Sequence, residues 1–221
     1  MLSFHNVSFA YKNSDVDRGT LNVLSDVNYT FEPGKLYAIE GPSGSGKSTL
    51  LTLAAGLDNP KAGTIELDGK DIKKIGYTKY RRKIAVVFQS FNLINYMNAV
   101  QNVVTALDID KVKGNRKTLA KETLQKLGIE EHQAKRNVLK LSGGQQQRVA
   151  IARALACGVN LILADEPTGS LDAQTADEIT RLLQAIAHQD NKCVITVTHS
   201  RDVAAAADVV LTLKNGRLVE V

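Results

Sequence analysis

Four short stretches of the chain are almost continuously apolar: Leu36 to Ile39, Ile84 to Phe88, Leu161 to Ala164 and Cys193 to Val197. Runs of this length, with Thr196 their one polar interruption, predict strands buried on both faces, as in a parallel sheet. Between them the period changes. Lys47 to Gly56 carries Leu50, Leu51, Leu53 and Ala54 and predicts a helix. Ala120, Leu124 and Leu127 fall on one helical face, within a region from Asn98 to Gly128 that reads as helical. Gln146 to Ala156 reads as a long helix, and Ser170-Leu-Asp172 opens another with Ile179, Leu182, Leu183 and Ile186 on one face. Ser200 to Ala207 is a further helix.

The two ends of the chain alternate instead. Leu2 to Tyr11 and Val23 to Phe31 predict paired strands joined by a polar loop, Asn13 to Gly19, and followed by a turn over Glu32-Pro-Gly-Lys35. Gly63 to Leu67, Asp68-Gly69 and Lys70 to Ile72 read as strand, tight turn, strand. Val209 to Leu213, Asn215-Gly216 and Arg217 to Val221 read as a closing hairpin. With the glycine-rich stretch Gly41 to Thr49 between the first apolar run and its helix, the fold class is α/β: a P-loop NTPase core with a mixed sheet, an N-terminal antiparallel β subdomain and an inserted α-helical subdomain. The expected division is one domain over 1–221. Residues 1–89 and 158–221 form the nucleotide-binding core with its β subdomain, and 90–157 the helical subdomain.

The chemistry gathers where the apolar runs stop. After the first comes Gly41-Pro-Ser-Gly-Ser-Gly-Lys-Ser-Thr49, which fits G-x-x-x-x-G-K-[ST] between a strand and a helix. Glycines let backbone N–H groups curl around phosphate, and the helix adds its positive end. Lys47 is placed to reach the β- and γ-phosphates, with the Ser48 hydroxyl on Mg²⁺. The second run ends in Gln89, at the strand end where α/β proteins collect ligands. The third ends in Asp165-Glu166. The first carboxylate is placed to hold Mg²⁺ and the second to orient and deprotonate a water. The fourth ends in Thr198-His199, with His199 either a structural residue or a γ-phosphate sensor. Leu141-Ser-Gly-Gly-Gln145 opens a helix, as a second anion site or a plain cap. Tyr11 offers a face to a purine base, or simply packs.

Composition narrows the setting. The 221 residues suffice for a sizeable core. No apolar run reaches a membrane span, and the start lacks the form of a signal peptide, so a cytoplasmic protein is expected. Cys157 and Cys193 read as small core residues in a reducing compartment. The net charge of +5 is unevenly spread: Lys70 to Lys140 holds 16 Lys/Arg against 6 Asp/Glu, and Lys70 to Lys83 alone has seven basic residues and one acidic. Such a stretch faces something anionic or is a solvated surface.

Taken together and in this order, the phosphate loop, Gln89, Leu-Ser-Gly-Gly-Gln, Leu-Ala-Asp-Glu and His199 resemble the ATP-binding cassette family over nearly the whole chain. The resemblance implies two cassettes head to tail with two ATP molecules between them. It implies that Tyr11 stacks on adenine, and that Gly41, Ser43, Gly44, Ser45, Gly46, Lys47, Ser48 and Thr49 bind the nucleotide. Ser48, Gln89 and Asp165 would hold Mg²⁺, Glu166 would act as general base with His199, Gln89 and Lys47 as further catalytic groups, and Ser142, Gly143, Gly144 and Gln145 would reach the partner's ATP. Asp172 matches the loop that communicates between the sites. Ala164 to Asp172, Leu141 to Arg148 and Phe88 to Leu93 look like the lipoprotein-releasing, macrolide-exporting and peptide-resistance subfamily, with the cell-division cassette a near relative. The stretch Asn137-Val-Leu-Lys140 departs from that pattern in lacking a proline.

The resemblance implies an ATPase motor subunit, a homodimer when ATP is bound, on the inner face of the cell membrane through a separate integral membrane permease. Export or extraction of a lipophilic or peptide-like substrate follows from the subfamily. The alternatives are a non-transporting signalling complex of the cell-division type and a soluble cassette protein acting on ribosomes or nucleic acid. Against the latter, such proteins usually carry two cassettes in one chain or long coiled-coil insertions. Ser90 to Val103, with Phe91, Leu93, Ile94, Tyr96 and Met97, is expected either to form a groove for a cytoplasmic permease helix or to belong to the subdomain core.

Overall fold

The computed structural model describes residues 1–11 and 21–220. The polar loop expected at 13–19 lies outside them. In chain order the elements are β1 (Leu2–Tyr11), β2 (Leu21–Phe31), β3 (Leu36–Glu40), α1 (Lys47–Ala54), β4 (Ala62–Leu67), β5 (Lys70–Asp71), α2 (Ile72–Ile75), α3 (Tyr77–Arg81), β6 (Ile84–Phe88), α4 (Ala99–Ile109), α5 (Arg116–Lys126) and α6 (Glu131–Ala134). A 3₁₀ turn at Val138–Lys140 precedes α7 (Gly143–Ala156), β7 (Leu161–Asp165), α8 (Ala173–Gln189), β8 (Cys193–Val197), α9 (Arg201–Ala205), β9 (Val209–Lys214) and β10 (Arg217–Glu220).

The alternating segments form an antiparallel sheet in the order β2-β1-β4-β5. The apolar runs form a second sheet, β10-β9-β3-β8-β7-β6, parallel except for the β9–β10 edge. Side chains alternate across this second sheet and divide between two hydrophobic clusters. Ile162, Ala164 and Val194 face the cluster built from α4, α5, α7 and α8. Leu161, Leu163, Cys193, Ile195 and Val197 face the cluster that includes α1 and the antiparallel sheet. Both faces are covered, so the near-continuous apolar runs follow directly. The helical stretch therefore shares its core with one sheet face rather than closing a core of its own.

Three local expectations change. Ile72 starts α2 rather than ending a strand. The Asp71 carboxylate accepts from the Lys73 N–H and caps that turn. The helical region 98–128 is broken between Ile109 and Arg116, with Asn115 capping the second piece. Cys157 is only partly buried, while Cys193 is fully so. Burial pushes both thiols up to about 12, which disfavours the thiolate at neutral pH. Among the described residues no helix is long and apolar enough to cross a membrane.

Candidate functional site

Strand register builds the site. Ile39 pairs with Val197, Val197 with Asp165, and Asp165 with Phe88. One row thus runs across β3, β8, β7 and β6. The residues that follow it, Glu40, Thr198, Glu166 and Gln89, leave the same edge of the sheet together. The phosphate loop, the carboxylate pair, Thr198-His199 and Gln89 are neighbours for this reason.

The loop Gly41 to Gly46 closes over β2. Gly46 takes φ 102°, and a Cβ there would lie 2.7 Å from Val23 Cγ1. A side chain at that position would be both strained and obstructed. Gly46 is the N-cap of α1, and no side chain caps the helix. The first-turn N–H groups of α1 thus keep donors for an anion. Ser45 Oγ is buried without a partner. Lys47 is buried, and its ammonium donates back to the carbonyls of Gly41 (2.8 Å) and Pro42 (3.0 Å). Burial holds its pKa below the ordinary lysine value, against the pull of Glu166 and Asp165. Ser43, Gly44 and Ser48 are exposed, and Thr49 is buried with its hydroxyl 3.2 Å from that of Tyr11. Tyr11 packs edge-on against Phe9 and keeps about half its surface open, 48 %.

Across the row, burial and the neighbouring Glu166 carboxylate raise the Asp165 pKa, with Lys47 opposing. Glu166 sits at φ 45°, unusual for a side chain with a Cβ, and its N–H donates to Val197 O at 2.9 Å. Its carboxylate lies 3.4 Å from His199 Nε2. A Cβ on Gly169 would lie 2.8 Å from Gln89 Nε2 and 3.2 Å from Glu166 Oε2, so the two side chains meet over that glycine.

No cluster of three or more His, Cys, Asp or Glu groups suited to a metal exists among the described residues. The hydroxyl of Ser48, the amide oxygen of Gln89 and one half-buried carboxylate, Asp165, are all hard oxygen donors. That set suits a Mg²⁺ ion that takes one protein carboxylate and completes its shell with phosphate and water.

Ser142 to Gln145 stand apart from this edge. Ser142 Oγ accepts from Gln145 N–H at 3.3 Å, and Gln145 Oε1 accepts from Ser142 N–H at 3.0 Å, a closed capping box on α7. A Cβ on Gly144 would lie 2.3 Å from Thr175 Cγ2, and one on Gly143 would lie 3.3 Å from Leu171. Among the described residues no hydrogen bond or ion pair joins 142–145 to the phosphate loop, Asp165, Glu166 or His199. Asp172 caps α8, accepting from Thr175 N–H (3.0 Å) and Oγ1 (2.7 Å), which hold its carboxyl below the usual range.

The structure adds residues that motif reading missed. Gln147 is fully buried and donates from Nε2 to Pro167 O at 2.7 Å, tying α7 to the loop after Glu166. Arg153, further along α7, donates to the carbonyls of Phe91 and Asn92. Those two residues both take positive φ, 59° and 47°. Asn102 is buried and holds Ile94 through its side-chain amide. Of the apolar residues in 90–103, Tyr96 stands out at 82 % exposed, whereas Phe91, Leu93, Ile94 and Met97 are half-buried.

Residues 24–169 match the family model described as ABC transporter. An uncharacterized ABC transporter ATP-binding protein of Bacillus subtilis, YclH, is 49% identical over 98% of this chain and 94% of its own length. The macrolide export ATP-binding/permease protein MacB of Shewanella sp. (strain ANA-3) is 41% identical over 96% of this chain, which spans 33% of that protein. Among solved structures, the post-hydrolysis dimer of the ATP-binding cassette MJ0796 bound to ADP and Pi aligns with TM-score 0.89 and 39% identity, covering 100% of this chain and 98% of that one.

Proposed function

Because this chain belongs to the ABC transporter family, we propose that it is the separate motor subunit of a membrane transporter that exports or extracts a lipophilic or peptide-like substrate. The chain is an ABC ATPase that uses ATP with Mg²⁺. The observation that carries the reading is the common row of strand ends, which assembles phosphate donors, the carboxylate pair, Gln89 and His199 on one edge. The 41% identity to a macrolide export protein supports the direction of transport.

In this reading the uncapped α1 and the N–H groups from Ser43 to Thr49, with Gly41 and Ser45, cradle the phosphates. Lys47 leaves its two carbonyl partners for the β- and γ-phosphates, and Tyr11 offers its open ring to adenine. Ser48, Gln89 and Asp165 would hold Mg²⁺, which when bound would supply positive charge against the phosphates. Glu166 takes the proton of the attacking water as its oxygen bonds to the γ-phosphorus and the bond to ADP breaks. His199 contacts the γ-phosphate and orients Glu166. Ser142, Gly143, Gly144 and Gln145 complete the ATP site of a second copy. ATP binding closes the homodimer, because the γ-phosphate supplies contacts to both copies that ADP lacks, and hydrolysis releases it.

The core at 1–89 and 158–221 binds nucleotide, and 90–157 carries the response to a permease on the inner face of the cell membrane. Tyr96, with half-buried Met97 beside it, is the contact for a cytoplasmic permease helix. The test is capture with Glu166→Gln and ATP from detergent-solubilised native membranes. A multi-span membrane protein held in an ATP-dependent way is expected. Ribosomal partners alone would overturn the reading. Tyr96→Glu should lose that capture while keeping basal ATPase, and unchanged capture would remove 90–103 as the contact.

A further inference from the structure

The segment from Lys70 to Lys83 carries seven lysines and arginines, and all seven are exposed. Among the described residues none of them pairs with a carboxylate. Among the described residues of the helical part, three of the nine Lys and Arg from Lys111 to Lys140 are paired. There Arg116 meets Asp108 at 2.7 Å, and Lys121 and Lys135 share Glu131 at 3.5 and 2.9 Å. The carboxylates around the segment are engaged elsewhere: Asp71 accepts from Lys73 N–H, Asp58 from Asn59 N–H, and Asp68 from the N-terminal ammonium of Met1.

Packing fixes where these cations sit. The Tyr80 hydroxyl donates to Ala54 O, Arg81 donates to Gly56 O at 2.9 Å, and a Cβ on Gly56 would touch the rings of Tyr77 and Tyr80. The α2–α3 pair is thus clamped on the far end of α1 from Lys47. It also precedes the first residue of β6, at the other end of that strand from Gln89. An eight-residue helix and a five-residue strand set it about 12 to 16 Å from the nucleotide edge. A second copy covering that edge leaves the patch free. Beside Gly56, Leu57 is 58 % exposed.

We propose that the α2–α3 surface, with Leu57 at its margin, rests on anionic lipid headgroups beside the permease. This rests on the motor-subunit reading. Flexible, unpaired cations around one exposed aliphatic side chain suit a diffuse negative surface into which an apolar group can dip. A nucleic-acid strand is a poorer fit, because the segment offers no open aromatic face: Tyr77 is half-buried and Tyr80 fully so. A specific acidic protein would call for cations held by neighbouring carboxylates or packed stems, and only Arg81 is held.

The test is flotation of the full chain with vesicles of phosphatidylcholine alone or containing about one quarter phosphatidylglycerol. Retention on the anionic vesicles should exceed that on the neutral ones at least about tenfold and fall as salt rises. The combined variant Lys73→Glu, Lys74→Glu, Lys79→Glu and Arg82→Glu should lose it while keeping its melting temperature and ATPase in solution. Equal retention on both vesicle types, or full retention by the variant, would overturn the proposal. So would tighter binding to a single-stranded RNA oligomer than to the anionic vesicles. In detergent, adding the four changes to Glu166→Gln should leave permease capture intact. Lost capture would reassign the patch to an acidic protein surface. If Glu166→Gln alone captures no membrane protein, the motor reading fails while the vesicle result stands by itself.

Discussion

Two helices of this protein start from glycine-rich sequence, and their first turns are finished in opposite ways. α1 begins at Gly46 with no side chain capping it, a buried lysine behind it and an orphaned Ser45 hydroxyl beside it. α7 begins at Ser142 with a closed capping box. The glycines differ too. Gly46 is needed for a left-handed backbone conformation as well as for room beside Val23, whereas Gly144 is needed for closeness alone, since Thr175 leaves no room for a Cβ. The first region is an incomplete structure that a phosphate completes. The second is complete in itself and must give up part of its own bonding to serve a ligand. Such a region suits a site assembled only when two copies meet.

The sharpest way to probe the comparison is Glu166→Gln. Turnover should fall about a hundredfold or more while ATP binding persists, so dimers accumulate and size-exclusion chromatography with ATP sees them. Near-normal turnover would refute the assigned base. Next comes Lys47→Ala, which should weaken ATP binding by the monomer about tenfold to a hundredfold, read by calorimetry. Gly144→Ala should behave oppositely. Monomer affinity holds, steady-state turnover drops about tenfold, and Thr175→Ser, which removes the clashing methyl, restores part of it. If Gly144→Ala instead weakened monomer binding, the two helices would not be separate in function.

A smaller effect concerns charge. Asp165 has its folded pKa raised, so the folded state holds the proton more tightly than the unfolded chain. Its ionised form therefore opposes folding above that pKa, and the opposition disappears as pH falls through it. Asp165→Asn should raise the melting temperature at neutral pH while removing Mg²⁺-dependent turnover. Smallest is Tyr11→Ala, a few-fold loss of ATP affinity, matching one stacked ring.

Much of this was legible because the sheet is buried on both faces. The apolar runs ending at Ile39, Phe88, Ala164 and Val197 mark the strands, and the residues after them mark the edge. Short local structure was less legible. α2 and α3 are four and five residues long, too short to show a helical period, and only Asp71 and Gly76 hinted at their limits. The break before Asn115 was announced by Gly114, yet the apolar spacing continued across it. The contacts of Gln147 with Pro167, Gly144 with Thr175 and Arg153 with Phe91 join residues 20 to 62 apart. No local pattern carries such information. The positive φ of Glu166 is likewise set by its bond to Val197 on the neighbouring strand.

The Arg153 fork has a consequence for inheritance. Its two nitrogens hold successive carbonyls of the 91–92 turn, and its own helix starts at Ser142. A lesion in the turn and a lesion at the helix start are therefore displacements of one rigid piece. A genetic screen for revertants of a damaged Phe91 or Asn92 should collect its second-site suppressors along α7, and a lysine at 153 should not suffice, since a single ammonium cannot span both carbonyls.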